Sequence, residues 1–316
     1  MKPRTLPSVA LFGAACALLL AGCEFTAPDP YNDDTPTSGK VIVLADVDSR
    51  PVIEQEAVIF HSFYPKAEIE VRYMTEGELL KAMMNDSVRC VVSSVAYGPD
   101  QQADFRERKL SALPVVPIYT DAIAVVVNKA SPIARLDLQQ IKAILISDTT
   151  AVRVTTDMEN SSTIHPLRAV FAGSGSGVAR MLIDSLHLQG IRGGALPDVE
   201  TVVAQVSRDV RAIGFIPFAA ISDLDNADMR TLRDQVKLLP VAFASDSAAI
   251  LPSQSTIADG QYPLRRTMNM LLTEGKSGLG TGFVSFVANH KGQRIILKLG
   301  VAPITVPPRN IEIVAH

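Results

Sequence analysis

The chain has 316 residues, with 30 Lys and Arg against 33 Asp and Glu, a net charge of −3 and 47% hydrophobic residues. No dense Lys/Arg run is present to neutralise a phosphate backbone, so nucleic acid is not an expected partner. Only three cysteines occur, Cys16, Cys23 and Cys90, and no internal disulfide framework follows from them. The histidines His61, His165, His187, His290 and His316 are scattered without metal-ligand spacing, and no Ser/His/Asp order stands out. Catalysis therefore has little support in the sequence, and no enzyme activity, metal or cofactor is expected.

In chain order, Lys2 and Arg4 precede an uncharged apolar run, residues 9–20, which leads to Leu20-Ala21-Gly22-Cys23. This is a secretory signal pattern. The run is about 12 residues, short of the ~20 that span a bilayer as a helix. Small residues directly before a cysteine resemble the lipobox of bacterial lipoproteins, which implies cleavage after residue 22 and lipid on Cys23. Several acyl chains on one residue would anchor the protein firmly to a membrane. Residues 23–38, rich in Pro and Asp without apolar period, read as a solvated tether.

The remaining chain, roughly 275 residues, suits one large or two small α/β units. Residues 40–45 (KVIVLA) form a β-branched apolar run, a buried strand. Pro51 opens a helix that Pro65 stops. Residues 68–73 and 90–93 read as strands, with a helix at 78–84 between them. Strands follow at 113–118 and 122–128, then a helix at 138–145. Further on come a strand at 167–171, helices at 174–186 and 199–206, strands at 212–217 and 236–243, and a helix at 285–299 broken near 289–292. Such alternation predicts a mainly parallel sheet covered on both faces.

The segment Gly173-Ser174-Gly175-Ser176-Gly177 lies between a strand and a helix. Unpaired N–H groups and a partial positive charge make a helix N-terminus attractive to oxyanions. Glycine allows close backbone approach, and serine hydroxyls add donors or cap the helix. The same loop also serves as a plain cap with no ligand. Three other motifs fail on spacing. A nucleophile elbow needs Ser at the centre, which is Gly175; a P-loop ending at Gly275-Lys276-Ser277 needs Gly at Met270; a dinucleotide fingerprint needs Gly at Val178.

Six segments in order resemble the phosphate-binding proteins of bacterial ABC transporters, and more closely their Bacteroidetes-type lipoprotein branch. They are residues 40–63, 121–132 (DAIAVVVNKASP), 172–180 (AGSGSGVAR), 212–218 (AIGFIPF), 260–266 (GQYPLRR) and 278–303. The resemblance implies a type II, two-lobed α/β periplasmic-binding-protein-like fold. It places one lobe at 39–120 and 241–310 and the other at 121–240, joined by crossings near 119–122 and 237–241. It implies a ligand, phosphate or a similar oxyanion, in the cleft between lobes, a transporter permease as partner and a monomer facing the periplasm or cell exterior. Matching ligand positions are Asp48, Ser49, Ser93, Ser94, Ser174, Gly175, Ser176 and Gly177, with Asp46 or Asp48 as acceptor for the phosphate proton. Two departures stand out. Val95 and Ala96 follow Ser94 where the classical binders have a carboxylate, and Ala172 is neutral, leaving Arg168 or Arg180 as compensating cations. These departures motivate a second reading, a scaffold or sensor lipoprotein that keeps the fold without the anion.

Overall fold

The apolar run at 40–45 becomes strand β1 (Gly39–Asp46) in the computed structural model, with Val43 and Ala45 fully buried. The structure describes residues 34–83, 88–96, 98, 103, 107, 115–147, 150–156, 162–173, 175–272 and 277–306. A single 3-10 turn, Val47–Ser49, leads into α1 (Arg50–Phe63), which carries Pro51 in its first turn. Next come β2 (Ala67–Met74), α2 (Glu76–Ala82) and β3 (Cys90–Ser93). Strands β2 and β3 both pair parallel with β1, the arrangement expected of a sheet buried on both faces.

The sequence suggested two strands at 113–118 and 122–128. The structure has one, β4 (Val115–Val127). Pro117 lies beside a register shift in the pairing of the first half of β4, and the second half is buried throughout. The first half pairs antiparallel with β12 (Arg265–Leu272), and the second half with β9 (Ala212–Pro217). Between them the chain builds β5 (Ile133–Asp137), α3 (Leu138–Leu145), β6 (Thr150–Thr156), β7 (Ser162–Ala172), α4 (Gly177–Ser185), β8 (Gly194–Leu196) and α5 (Val199–Arg208). Then follow α6 (Ala227–Arg233), β10 (Lys237–Leu238), β11 (Val241–Ala242) and α7 (Gln254–Ala258). After β12 the chain ends in α8 (Leu279–Ala288), α9 (His290–Lys298) and β13 (Ala302–Pro303).

The sheet is mixed, not mainly parallel. Parallel pairs lie within each half, β1 with β2 and β3, and β7 with β8 and β9, while the joints through β4 and β12 are antiparallel. The expected strand at 236–243 is split in two, since Pro240 has no N–H to give to a ladder.

Two main hydrophobic cores sit either side of β4. One gathers Val41, Val43, Phe60, Tyr119, Met268, Phe283 and Val287; the other gathers Ile123, Val125, Phe171, Val203, Phe215, Val241, Ile257, Tyr262 and Leu264. The second crossing therefore lies near 264–266, where Ile123 N donates to Leu264 O at 2.8 Å, and not at 237–241. Residues 241–264 pack with the second core because Tyr262 is fully buried there and donates to Ile123 O at 2.8 Å. The last residues of the segment expected to be a solvated tether are docked instead. Asp34 accepts from Leu279 N at 2.7 Å, satisfying the start of α8, and Ser38 is buried, so residues 34–38 are docked. Residues 1–22 and Cys23 lie outside the described residues.

Within α1, Glu56 faces the interior beside Val52, Ile53 and Phe60, and neither of its carboxylate oxygens has a hydrogen-bond partner. Burial pushes its pKa up to about 8, so the folded state holds a proton that the unfolded chain, near the ordinary 4.5, releases. Stability should accordingly fall by about 1.4 kcal/mol per pH unit as pH rises between those values, and level off above the upper one. Chemical denaturation of Glu56→Gln across that range should show this slope removed.

Candidate functional site

The loop after β1 orders itself. Asp46 Oδ1 accepts from Asp48 N at 3.3 Å, and Ser49 Oγ donates to Asp46 O at 2.6 Å. Ser49 thus spends its proton inside the turn, and its side chain is fully buried at the entry to α1. The turn aims Asp48 away from β1 and toward α4. There Asp48 Oδ2 accepts from Val178 N at 3.0 Å, in the first turn of α4. Ser176, the cap of α4, accepts from Ala179 N at 3.3 Å. A backbone N–H at the start of α4 is therefore taken by the Asp48 carboxylate, a negative group placed where the helix N-terminus favours one.

The same Asp48 oxygen accepts from Arg266 Nη1 at 3.1 Å. Arg266 stands at the start of β12. Its Nη2 donates to Asp121 Oδ2 at 3.2 Å, and Asp46 Oδ2 lies 3.7 Å from Nη1. Asp121 comes from the middle of β4, and its Oδ1 accepts from Ala219 N at 3.0 Å. All four side chains are buried. Burial works against the Arg266 charge, but Asp48, Asp121 and Asp46 together hold its proton more tightly than usual. The pKa of Asp121 is raised by burial, with Arg266 opposing. That of Asp46 is raised well above the ordinary carboxylate range, by burial first and then by the Asp48 charge, against which Arg266 works only in part. One guanidinium can neutralise one carboxylate in full. The unpartnered Asp46 Oδ2 marks Asp46 as the acid that this site tolerates least as an anion.

A second carboxylate collects the other predicted donors. Glu76, the first residue of α2, is fully buried, and its Oε1 accepts from Ser93 Oγ at 2.8 Å, Ser94 N at 3.1 Å and Ser94 Oγ at 2.6 Å. Its Oε2 has no partner. Thr75 and Glu78 hold the start of α2 in place through a reciprocal capping box.

The glycines of the loop are there for proximity. A Cβ on Gly177 would overlap Asp46 Oδ2 and Arg266 Nη1. Gly175 O accepts from Gly77 N at 3.3 Å, bringing the α4 loop onto the start of α2. Gly173 has φ +68°, a conformation that glycine adopts without strain. Ser174 lies outside the described residues. Between the two halves opens a cleft of about 780 Å³, whose lining includes Asp48, Glu54, Glu78, Asp198, Glu200 and Asp228 against one cation, Arg50. Arg50 lies over the Tyr73 ring, 4.4 Å from its centroid.

Of the residues singled out in the sequence, Asp48 meets Val178 and Arg266, Ser93 and Ser94 meet Glu76, Ser49 closes its own turn, Ser176 caps α4, and Gly175 and Gly177 lie in and just after its entry loop. Sequence reasoning missed Glu76 and gave no role to Asp121 or Arg266. The cations it considered instead are elsewhere: Arg168 pairs with Asp209 at 3.3 Å on an exposed edge, and Arg180 with Asp184 at 3.6 Å along α4. Arg266 sat inside the matched 260–266 segment, and that was the available signal.

A profile of the PBP superfamily domain matches residues 32–291. The chain belongs to the PBP superfamily. Among its relatives, Protein SphX of Synechococcus elongatus is 25% identical over 276 residues, 84% of this chain and 78% of that protein. Phosphate-binding protein PstS 2 of Streptococcus pneumoniae is 29% identical over 97 residues, 31% of this chain and 28% of that one. Among solved structures, a Clostridium perfringens protein with bound phosphate superposes with a TM-score of 0.65 at 20% identity, covering 84% of this chain and 100% of that chain. An ABC-type phosphate transport receptor from Vibrio cholerae gives a TM-score of 0.62 at 13% identity, covering 84% and 100%. At these identities the superpositions establish the fold that this PBP superfamily member shares with them.

The cluster around Arg266 leads to a stability prediction. Arg266→Met would leave Asp48, Asp121 and Asp46 buried without their counter-charge and should cost roughly 3–5 kcal/mol in denaturant unfolding. Arg266→Lys should recover only part of this, since an ammonium lacks the planar fork that reaches two carboxylates at once.

Proposed function

We propose that this chain is the extracytoplasmic substrate-binding lipoprotein of an ABC importer, exported by residues 1–22 and lipid-anchored at Cys23, with phosphate or a similar oxyanion as its cleft ligand and a transporter permease as its partner. The observation that carries the ligand class is the bond from Val178 N to a carboxylate oxygen at the start of α4. A backbone donor at a helix N-terminus, backed by the Arg266 guanidinium, is arranged to hold an oxyanion. Relatives named for phosphate binding and phosphate transport support the same class. Ser93 and Ser94 donate to Glu76 and Ser176 caps α4, so a binding role for them on this reading requires those bonds to open for the ligand.

A second reading is favoured by one specific observation. Asp48 and Glu76 already take the donors that a free anion would use. A protein fixed in that state would be a membrane-tethered scaffold or sensor with a binding-protein fold.

A thermal-unfolding panel with phosphate, sulfate and molybdate separates the two. The importer reading expects stabilisation of about 2.7 kcal/mol at a hundredfold excess over Kd. No shift with any anion, in protein whose folding is confirmed by circular dichroism, selects the scaffold or sensor. For the anchor, Cys23→Ser should move the protein from the membrane to the soluble fraction and abolish its labelling by radioactive fatty acid.

A further inference from the structure

The geometry points to Asp48 as a built-in surrogate ligand: its carboxylate occupies the oxyanion position at α4, latches the two halves without any solute, and must be displaced before a free oxyanion can bind. Displacement by a free oxyanion rests on the importer reading; the latch itself does not.

Asp48 belongs to the loop after β1, on the side of the first core, and Val178 belongs to α4, on the side of the second. Their 3.0 Å bond therefore spans the two halves, and it is buried. The oxygen that makes it is also the one held by Arg266 on the crossing strand β12, so a single atom ties three elements together. The Gly77 N to Gly175 O bond reinforces the same closure. On the side of Gly177 the space is filled by Asp46 Oδ2 and Arg266 Nη1, while on its other side Asp48 lines the cleft.

A ligand tethered by its own backbone competes at an effective concentration in the millimolar range or above. A free oxyanion entering beside Asp48 would also meet like charge, with the Arg266 guanidinium already engaged. Removing the Asp48 carboxylate should release the Val178 N–H and one Arg266 nitrogen together, converting a self-occupied site into one that an outside anion can fill.

The test uses the full lipid-bearing chain in detergent, comparing wild type with Asp48→Ser. Amide hydrogen exchange is followed over residues 175–180, with β9 as an internal control for folding, and phosphate binding is titrated calorimetrically. Without ligand, 175–180 should exchange at least tenfold faster in Asp48→Ser, while β9 stays as protected as in wild type. Phosphate should then restore protection and bind the variant at least tenfold more tightly than wild type. Equal exchange at 175–180 in the two ligand-free proteins overturns the latch, whatever phosphate does. Faster exchange in the variant, with no anion binding to either protein, upholds the latch and removes the oxyanion reading. Should Asp48→Ser not fold, Asp48→Asn takes its place. A neutral amide oxygen accepts an N–H about half as strongly as a carboxylate, so exchange at 175–180 should still quicken, and unchanged exchange again overturns the latch.

Discussion

The guanidinium of Arg266 meets Asp48, Asp121 and Asp46 where the two cores of the molecule join. The contacts come from units far apart in the sequence. Asp48 and Asp46 bring the loop after β1, Asp121 the middle of β4, and Arg266 the start of β12. Asp48 adds the first turn of α4 through Val178. A buried charge is tolerated only when its hydrogen bonds are made. The need to satisfy one guanidinium therefore fixes how strands, loop and helix meet. Replacing such a cluster with apolar side chains can be nearly neutral for stability, whereas removing one partner is not. Its value to this protein is the arrangement it specifies.

That arrangement shapes the cleft. Val178 N and the Ser93 and Ser94 donors all point to acids of the same chain, Asp48 and Glu76. Among the described residues, six carboxylates and one guanidinium line the space between the halves. A tetrahedral anion favours converging donors and suffers from neighbouring carboxylates, unless one of them accepts its proton. Asp46, whose carboxyl is pushed toward its neutral form by burial and by Asp48, shows how strongly this site already opposes further negative charge. The superfamily fold is shared with phosphate-binding relatives, but the residues around α4 give the site its own electrostatics.

Local patterns carried much of the architecture. The β-branched run at 40–45, the Pro51 helix start, the buried AIGFIP strand and the break between α8 and α9 follow from periodicity, proline chemistry and capping, which act over a few residues. Several elements escaped this reading, β12 among them, and two show why. Strand β4 looked like two strands because its halves pack in different cores, and residues 34–38 looked like free tether because their docking depends on the distant start of α8.

By itself, then, the amino-acid sequence determined the alternation of strands and helices and the presence of a glycine- and serine-rich helix start, for these are set by neighbours along the chain. The tertiary structure alone decided what fills that helix start. Arg266 lies 218 residues from Asp48 and 145 from Asp121, and Asp48 lies 130 from Val178. Pairings at such separations leave no periodic trace, because they arise only when folding removes water from charges that then have no other partner.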